Sequence, residues 1–217
     1  MARALASRGW DLVIDARGAA ALASAERELA AGSIVRPVPG DIGEEAHRVA
    51  LIDTARELGG LDLLVNNASF LGPSPQPALA DYPIDLLERV YQVNVLAPLR
   101  LIQLALPILR SPGGRIVNVT SDAAIEGYEG WGGYGSSKAA LEQLSNVIAA
   151  ERSTLRVYWV DPGDMNTQMQ QEAFPGEDVS DRPLPDASVP GFLRLLEGDL
   201  PSGRYRARDL VVDGAAP

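Results

Sequence analysis

The sequence contains no cysteine. That excludes disulfide scaffolds, cysteine-ligated zinc, iron–sulfur clusters and thiol nucleophiles in one step. Histidine occurs once, at His47, so a multi-histidine metal site is excluded too. No apolar run approaches the roughly 18 residues that a membrane span needs. The opening Met-Ala-Arg-Ala-Leu-Ala-Ser-Arg lacks the apolar centre of a signal peptide, and a cytoplasmic setting is expected. Basic residues are the minority, 19 Lys and Arg against 29 Asp and Glu, for a formal net charge of −10. A chain this acidic would approach nucleic acid against its own field. What is present is 217 residues, 46% apolar and 22% charged, the balance of an ordinary globular domain with a full core.

Short apolar runs alternate with helical stretches along the whole chain. Leu12–Ile14, Ile34–Val38, Leu61–Val65, Arg115–Thr120, Leu155–Val160 and Leu210–Val212 are predicted strands. Pro37 and Pro39 place the second of these at a sheet edge. Helices are predicted over Ala19–Ala31, Glu44–Leu58, Asp85–Arg110, Tyr134–Arg152 and around Phe192–Leu196. Pro98 and Pro107 should kink or end the long third one. Asp161–Pro190, polar and Pro-rich, is expected to be a long loop or lid. Strict alternation argues for one α/β domain, residues 1–217, with a mostly parallel sheet and helices on both faces.

Tyr134 and Lys138 stand four apart at the start of a predicted helix, on one face. A tyrosine with an ordinary pKa near 10 is a poor acid or base at neutral pH. A nearby ammonium favours the phenolate, so the pair is suited to general acid–base work. Ser121 closes a strand 13 residues earlier, Asn67 closes another, and Pro162-Gly163 follows a third. In a parallel sheet these ends share one rim, where ligands bind. Each residue taken alone fits a turn or cap equally well. The string Gly130-Trp131-Gly132-Gly133-Tyr134-Gly135 matches a dinucleotide fingerprint only by letter, because it follows a loop and contains Tyr134. His47 is expected at the surface. Ser136 and Ser137 are expected to be helix-start residues. Trp131, Met165, Met169 and Phe174 line either a substrate pocket or a packed loop.

Together these motifs resemble the short-chain dehydrogenase/reductase family, from about residue 4 to the C-terminus. The matching segments are Asn66-Asn67-Ala68, Val93-Asn94-Val95, Ser121, Tyr134-Gly135-Ser136-Ser137-Lys138, Asp161-Pro162-Gly163 with Thr167, Asp41-Ile42, and Val211-Val212-Asp213-Gly214. The resemblance implies a Rossmann-like, doubly wound sheet and hydride transfer between a nicotinamide cofactor and a small-molecule carbonyl or alcohol. It makes Tyr134 the proton donor or acceptor and Lys138 the residue that lowers its pKa and binds the nicotinamide ribose. Ser121 would hydrogen-bond the substrate oxygen, and Asn94 would hold a water in a proton relay. Asn67, Ala68, Asp41 and Ile42 would line the cofactor, with Pro162, Gly163 and Thr167 around the nicotinamide. In Asp15-Ala16-Arg17, Arg17 favours NADP(H) if Ala16 takes the selecting position; NAD(H) is the alternative if Asp15 does. The helices of Asn94 and Tyr134 would pair in a homodimer or homotetramer.

The sequence departs from that family in two places. Ser69 stands where a glycine usually follows Asn-Asn-Ala. The opening strand and its T-G-x-x-x-G-x-G turn, which brings backbone and a helix N-terminus to the pyrophosphate, are missing. Their loss should leave two neighbouring strands unpaired across a gap. The preferred reading is an active reductase whose start is set too late. The alternative is a short form that binds cofactor weakly or not at all and serves as an interaction module. A hydrolase is disfavoured, since His47 is badly placed to complete a nucleophile–base–acid set.

Overall fold

The computed structural model describes residues 1–211. Strands and helices alternate in the expected order. The strands are β1 (Leu12–Ala16), β2 (Val35–Pro39), β3 (Leu63–Asn66), β4 (Arg115–Val119), β5 (Arg156–Asp161) and β6 (Gly203–Arg206). The helices are α1 (Ala2–Ala6), α2 (Ala19–Leu29), α3 (Glu45–Glu57), α4 (Ile84–Tyr91), α5 (Ala97–Ala105), α6 (Gly132–Glu151), α7 (Gln168–Ala173) and α8 (Val189–Glu197). Every strand pair is parallel, giving one sheet in the order β1-β2 and another in the order β3-β4-β5-β6. β2, with its two prolines, pairs only with β1, as an edge strand should.

β1 and β3 share no ladder. Their facing edges border a cavity of about 1170 Å³ lined by Leu12, Val13 and Ile14 on one side and Leu63, Leu64 and Val65 on the other. The two sheets are held together across it by packing. On one face, Leu12 of β1 and Val35 of β2 join Val117, Tyr158 and Val160 and the apolar side of α8, from Phe192 to Leu196. On the other, Ile52 of α3 packs with Ala97, Leu101 and Ala105 of α5. A third cluster, around Ile116, Ile148 and Val157, seats α6 on β4 and β5.

The long predicted helix is interrupted as its prolines require. A π turn over Gln92–Leu96 joins α4 to α5, Pro98 lies in the first turn of α5, and α5 ends at Ala105 before Pro107. A π turn widens the helix locally and is common at functional sites. The 161–190 segment is mostly loop but contains α7, capped by Thr167, whose Oγ1 accepts from Gln170 N at 3.2 Å.

Two expectations are corrected. The last strand is Gly203–Arg206 rather than Leu210–Val212: Ala207–Leu210 forms a 3₁₀ turn, and residues from Val212 on, including Asp213 and Gly214 of the final motif, lie outside the described residues. His47 is buried, at 9% exposure, instead of at the surface. Gly40 makes room for it, since a Cβ there would lie 2.3 Å from His47 Nδ1. The imidazole Nε2 stands 3.3 Å from Asp15 Oδ2 at the end of β1.

Candidate active site

The parallel ladders bring the C-terminal ends of β3, β4 and β5 to one rim, and the polar residues of interest follow those ends. Beneath the rim, Asn66 Nδ2 donates to Asn118 Oδ1 at 2.7 Å, and Asn118 Nδ2 donates to Ser145 Oγ of α6 at 2.7 Å. This chain of buried amides ties β3, β4 and α6 into fixed register. Asn66 Oδ1 is buried, lies in a cavity-lining residue, and has no partner among the described residues.

α6 presents Tyr134 and Lys138 one turn apart, both buried, with 7% and 2% exposure. Lys138 Nζ lies 5.4 Å from the centre of the Tyr134 ring and donates to Val119 O, at the end of β4, at 2.9 Å. Burial dominates both titrations. It pulls the Lys138 ammonium down to about 8, and it pushes the Tyr134 phenol up to about 12, against the Ser69 hydroxyl, which favours the phenolate. Desolvation is the largest influence on the phenol, and Lys138 is not among the groups that shift it in this arrangement.

Asn94, in the π turn, is fully buried. Its Oδ1 accepts from Phe70 N at 2.8 Å and Ser69 Oγ at 3.1 Å. Its Nδ2 donates to Phe70 O at 2.9 Å and Ser137 Oγ at 3.0 Å. Ser137 Oγ in turn donates to Tyr134 O at 2.6 Å. Asn94 thus clamps the loop after β3 against the first turn of α6, with Ser69 between Asn94 and the Tyr134 phenol. Ser121 follows β4; its Oγ donates to Asp122 Oδ1 at 3.0 Å and accepts from Ala123 N at 3.2 Å.

Sequence reasoning missed Arg204. From β6 it donates to Glu142 Oε1 at 2.9 Å and to Ser121 O at 3.2 Å, and stands 3.7 Å from Asp161 Oδ2. Glu142 also accepts from Thr120 Oγ1 at 2.7 Å. One guanidinium therefore braces Ser121 and the end of β5. Asp161 Oδ1 accepts from Gly163 N at 2.8 Å and shapes the Pro162-Gly163 turn, where Gly163 has φ +79°. Ser137, expected as a helix-start residue, and Ser69, noted as a departure from the family pattern, were given no part in the site. The i, i+3 spacing of Tyr134 and Ser137 was a usable signal for the first; none pointed to the second.

At the other end of the rim, Asp41 Oδ1 accepts from Gly43 N at 2.8 Å and Oδ2 from Arg89 Nη2 at 2.5 Å. These bonds, with Arg17 nearby, hold its carboxyl below the usual range. Ile42, Asn66, Asn67, Ala68, Val93, Pro162 and Met165 all line the large cavity, opposite Asp15 and Ala16 of β1. Thr167, by contrast, is occupied in capping α7. Arg17 and Arg89 stand by Asp41 at one end and Tyr134 and Lys138 at the other; none of these four lines the large cavity. No T-G-x-x-x-G-x-G segment occurs in the sequence to cradle a pyrophosphate between them.

The family model described as short chain dehydrogenase matches residues 1–178. The chain belongs to this family. Benzil reductase ((S)-benzoin forming) of Saccharomyces cerevisiae is 37% identical over 164 residues, which is 72% of this chain and 62% of that protein. The chain thus spans less than two thirds of that relative's length. The rhamnolipids biosynthesis 3-oxoacyl-[acyl-carrier-protein] reductase of Pseudomonas aeruginosa is 34% identical over 215 residues, covering 94% of this chain and 77% of the other. An alcohol dehydrogenase of the archaeon Thermococcus sibiricus, complexed with 5-hydroxy-NADP, superposes with a TM-score of 0.84 at 25% identity, covering 94% of this chain and 88% of the other.

Proposed function

We propose that this short chain dehydrogenase is an NADP(H)-preferring carbonyl reductase in which Tyr134 is the proton donor. The observation that carries the reading is the buried, protonated phenol of Tyr134, with Lys138 one helical turn away, at the rim where three parallel strands end. When bound, the reduced nicotinamide supplies the hydride that reaches the carbonyl carbon. Tyr134 gives its phenolic proton to the carbonyl oxygen as charge builds there, and Ser121 Oγ hydrogen-bonds the same oxygen. Lys138, whose ammonium burial lowers to about 8, would return a proton toward Tyr134 and hold the nicotinamide ribose. Asn94 positions Ser69 and α6. Asn67, Ala68, Pro162 and Gly163 line the nicotinamide side, Asp41 and Ile42 the adenine side, and Thr167 braces the segment above. The sum is ketone, NADPH and one proton to alcohol and NADP⁺.

Preference for NADP(H) rests on β1. Asp15 is engaged by His47, while Arg17 is exposed directly after the strand. The relative bound to an NADP derivative supports the same choice. Arg17→Ser is expected to weaken NADPH binding about tenfold, the scale of one charge-assisted hydrogen bond, and to leave NADH binding within about twofold. Exposed Leu96 and Val147, on the elements carrying Asn94 and Tyr134, suit the dimer expected there; light scattering returning a monomer would remove it.

The deciding experiment is calorimetric titration with NADPH, followed by NADPH oxidation with ketones for the wild type and Tyr134→Phe. Binding, with turnover that falls at least ~100-fold in Tyr134→Phe, is expected. Binding of neither dinucleotide, or turnover indifferent to Tyr134→Phe, would overturn the reading and favour the interaction module.

A further inference from the structure

We infer that the site takes uncharged ketones bearing an aryl group next to the carbonyl, selected by an aromatic wall built on Trp131. The inference rests on the carbonyl-reductase reading above and narrows its substrate class.

Trp131 meets the Tyr134 ring edge-on, with centroids 5.8 Å apart and planes at 76°. On its other side Phe174 lies 5.9 Å away, tilted by 47°. Tyr128 extends the row at 6.5 Å. Leu71, from the loop after β3, and Met169 and Ala173, from α7, complete an apolar cluster around Tyr134. The cluster is separate from the three that seat the helices on the sheets. Sheet packing therefore does not account for its rings. They are a costly use of scarce material, since the chain has three Trp and three Phe in all.

The wall is held rigidly. The backbone just after Trp131 runs close against its neighbours: a Cβ at Gly132 would lie 2.7 Å from Leu79 Cδ1, and one at Gly133 2.4 Å from the Tyr82 ring. Gly130, at φ +82°, makes the turn into this stretch. At the outer end the Arg182 guanidinium lies 4.9 Å from the Phe174 ring centre and 3.9 Å from Asp181. Its charge is spent on a ring and a carboxylate. Rings held in tilted and edge-on geometry favour another ring over an alkyl chain of equal area, by about threefold to tenfold per contact.

Charge narrows the class further. Asp122 Oδ2 accepts from the Tyr128 hydroxyl at 3.1 Å, and Asp122, Glu126 and Asp164 all act on that hydroxyl with negative charge. A substrate anion would approach this mouth against three carboxylates.

The test compares kcat/KM, with NADPH, for acetophenone and 2-octanone, which have equal carbon counts, and for 4-methylacetophenone and 4-acetylbenzoate. Acetophenone should be preferred at least tenfold over 2-octanone, and the neutral aryl ketone at least tenfold over the anionic one. Trp131→Leu should reduce the aryl preference to within threefold. Phe174→Leu, at the more peripheral ring, should reduce it in the same direction, so that a folding defect in the first variant does not end the test. Preference for 2-octanone, or an aryl preference unmoved in both variants, would overturn the inference. Saturation-transfer NMR with acetophenone separates the two readings. Binding that is lost in Trp131→Leu, without turnover of any ketone, supports the aryl site and overturns the reductase. Absence of acetophenone binding overturns the aryl site alone.

Discussion

Lys138 is the only lysine in the chain, and its predicament can be measured directly. It is 2% exposed, its single hydrogen-bond partner among the described residues is Val119 O at 2.9 Å, and burial brings its pKa from 10.5 to about 8. That depression corresponds to ~3 kcal/mol, at about 1.36 kcal/mol per unit. The sign is as follows. Between about pH 8 and 10.5 the unfolded lysine is protonated and the folded one is not, so the unfolded state binds more protons and stability rises with pH. Below pH 8 the full penalty is present. Lys138→Met removes the penalty and also the hydrogen bond to Val119 O, which is worth ~1 kcal/mol. The variant should therefore be more stable than the wild type by ~2 kcal/mol at pH 7 in urea unfolding, and the gain should vanish or reverse by pH 10. The titration itself is read by labelling with [13C]lysine, which places one Cε resonance in the whole spectrum. A midpoint near 8 is expected. A midpoint above 10, with no stabilisation by Lys138→Met at pH 7, would refute the burial argument.

Tyr134 has the opposite arm: its phenol, at about 12 when folded, keeps its proton where the unfolded one, near 10, has lost it. Stability from this group falls between pH 10 and 12, and Tyr134→Phe should flatten that fall in alkaline unfolding curves. Ser69→Ala removes the hydroxyl that favours the phenolate, so the tyrosinate absorbance step assigned to Tyr134, by difference against Tyr134→Phe, should move to higher pH. Asn94→Leu strands the N–H and C=O of Phe70 and should cost about 3–5 kcal/mol in urea unfolding. Gly191→Ala places a Cβ 2.0 Å from Ala207 O, backbone that cannot swing aside, and should lower stability by about 1–3 kcal/mol in a thermal melt.

The parts of the fold legible in the sequence are those where burial leaves an unbroken apolar run. Leu12–Ile14, Ile116–Val117 and Val157–Val160 are such runs, and all lie in strands. β6 was missed because Gly-Arg-Tyr-Arg looks polar. Its arginines are there to face Glu142 and Asp161, and that pairing exists only once β5 and α6 lie beside it. Leu210 and Val211 looked more strand-like but have no ladder to join. His47 was misread for the same kind of reason: its helix turn is polar, and only the missing side chain at Gly40, on another element, makes space for the ring.

For the candidate site, spacing identified the pair and could not give the sign of its electrostatics. Four residues on one helix face bring Tyr134 and Lys138 together in any helix. Whether the amine then lowers the phenol's pKa depends on which of them is desolvated and what else the amine holds. Here burial lowers the ammonium to about 8, so it is still mostly charged at pH 7, but it is aimed at Val119 O rather than at the phenol oxygen. A protonated tyrosine beside a charged lysine can give a proton in the reductive direction, and the same pair takes it back in the oxidative one. For alcohol oxidation, Tyr134 would have to begin as phenolate, against a pKa of about 12. The two directions share one transition state, so the burial argument bears on pH dependence rather than on direction: the oxidation rate should keep rising with pH up to the phenol's titration, and an oxidation rate flat from about pH 7 to 10 would refute it.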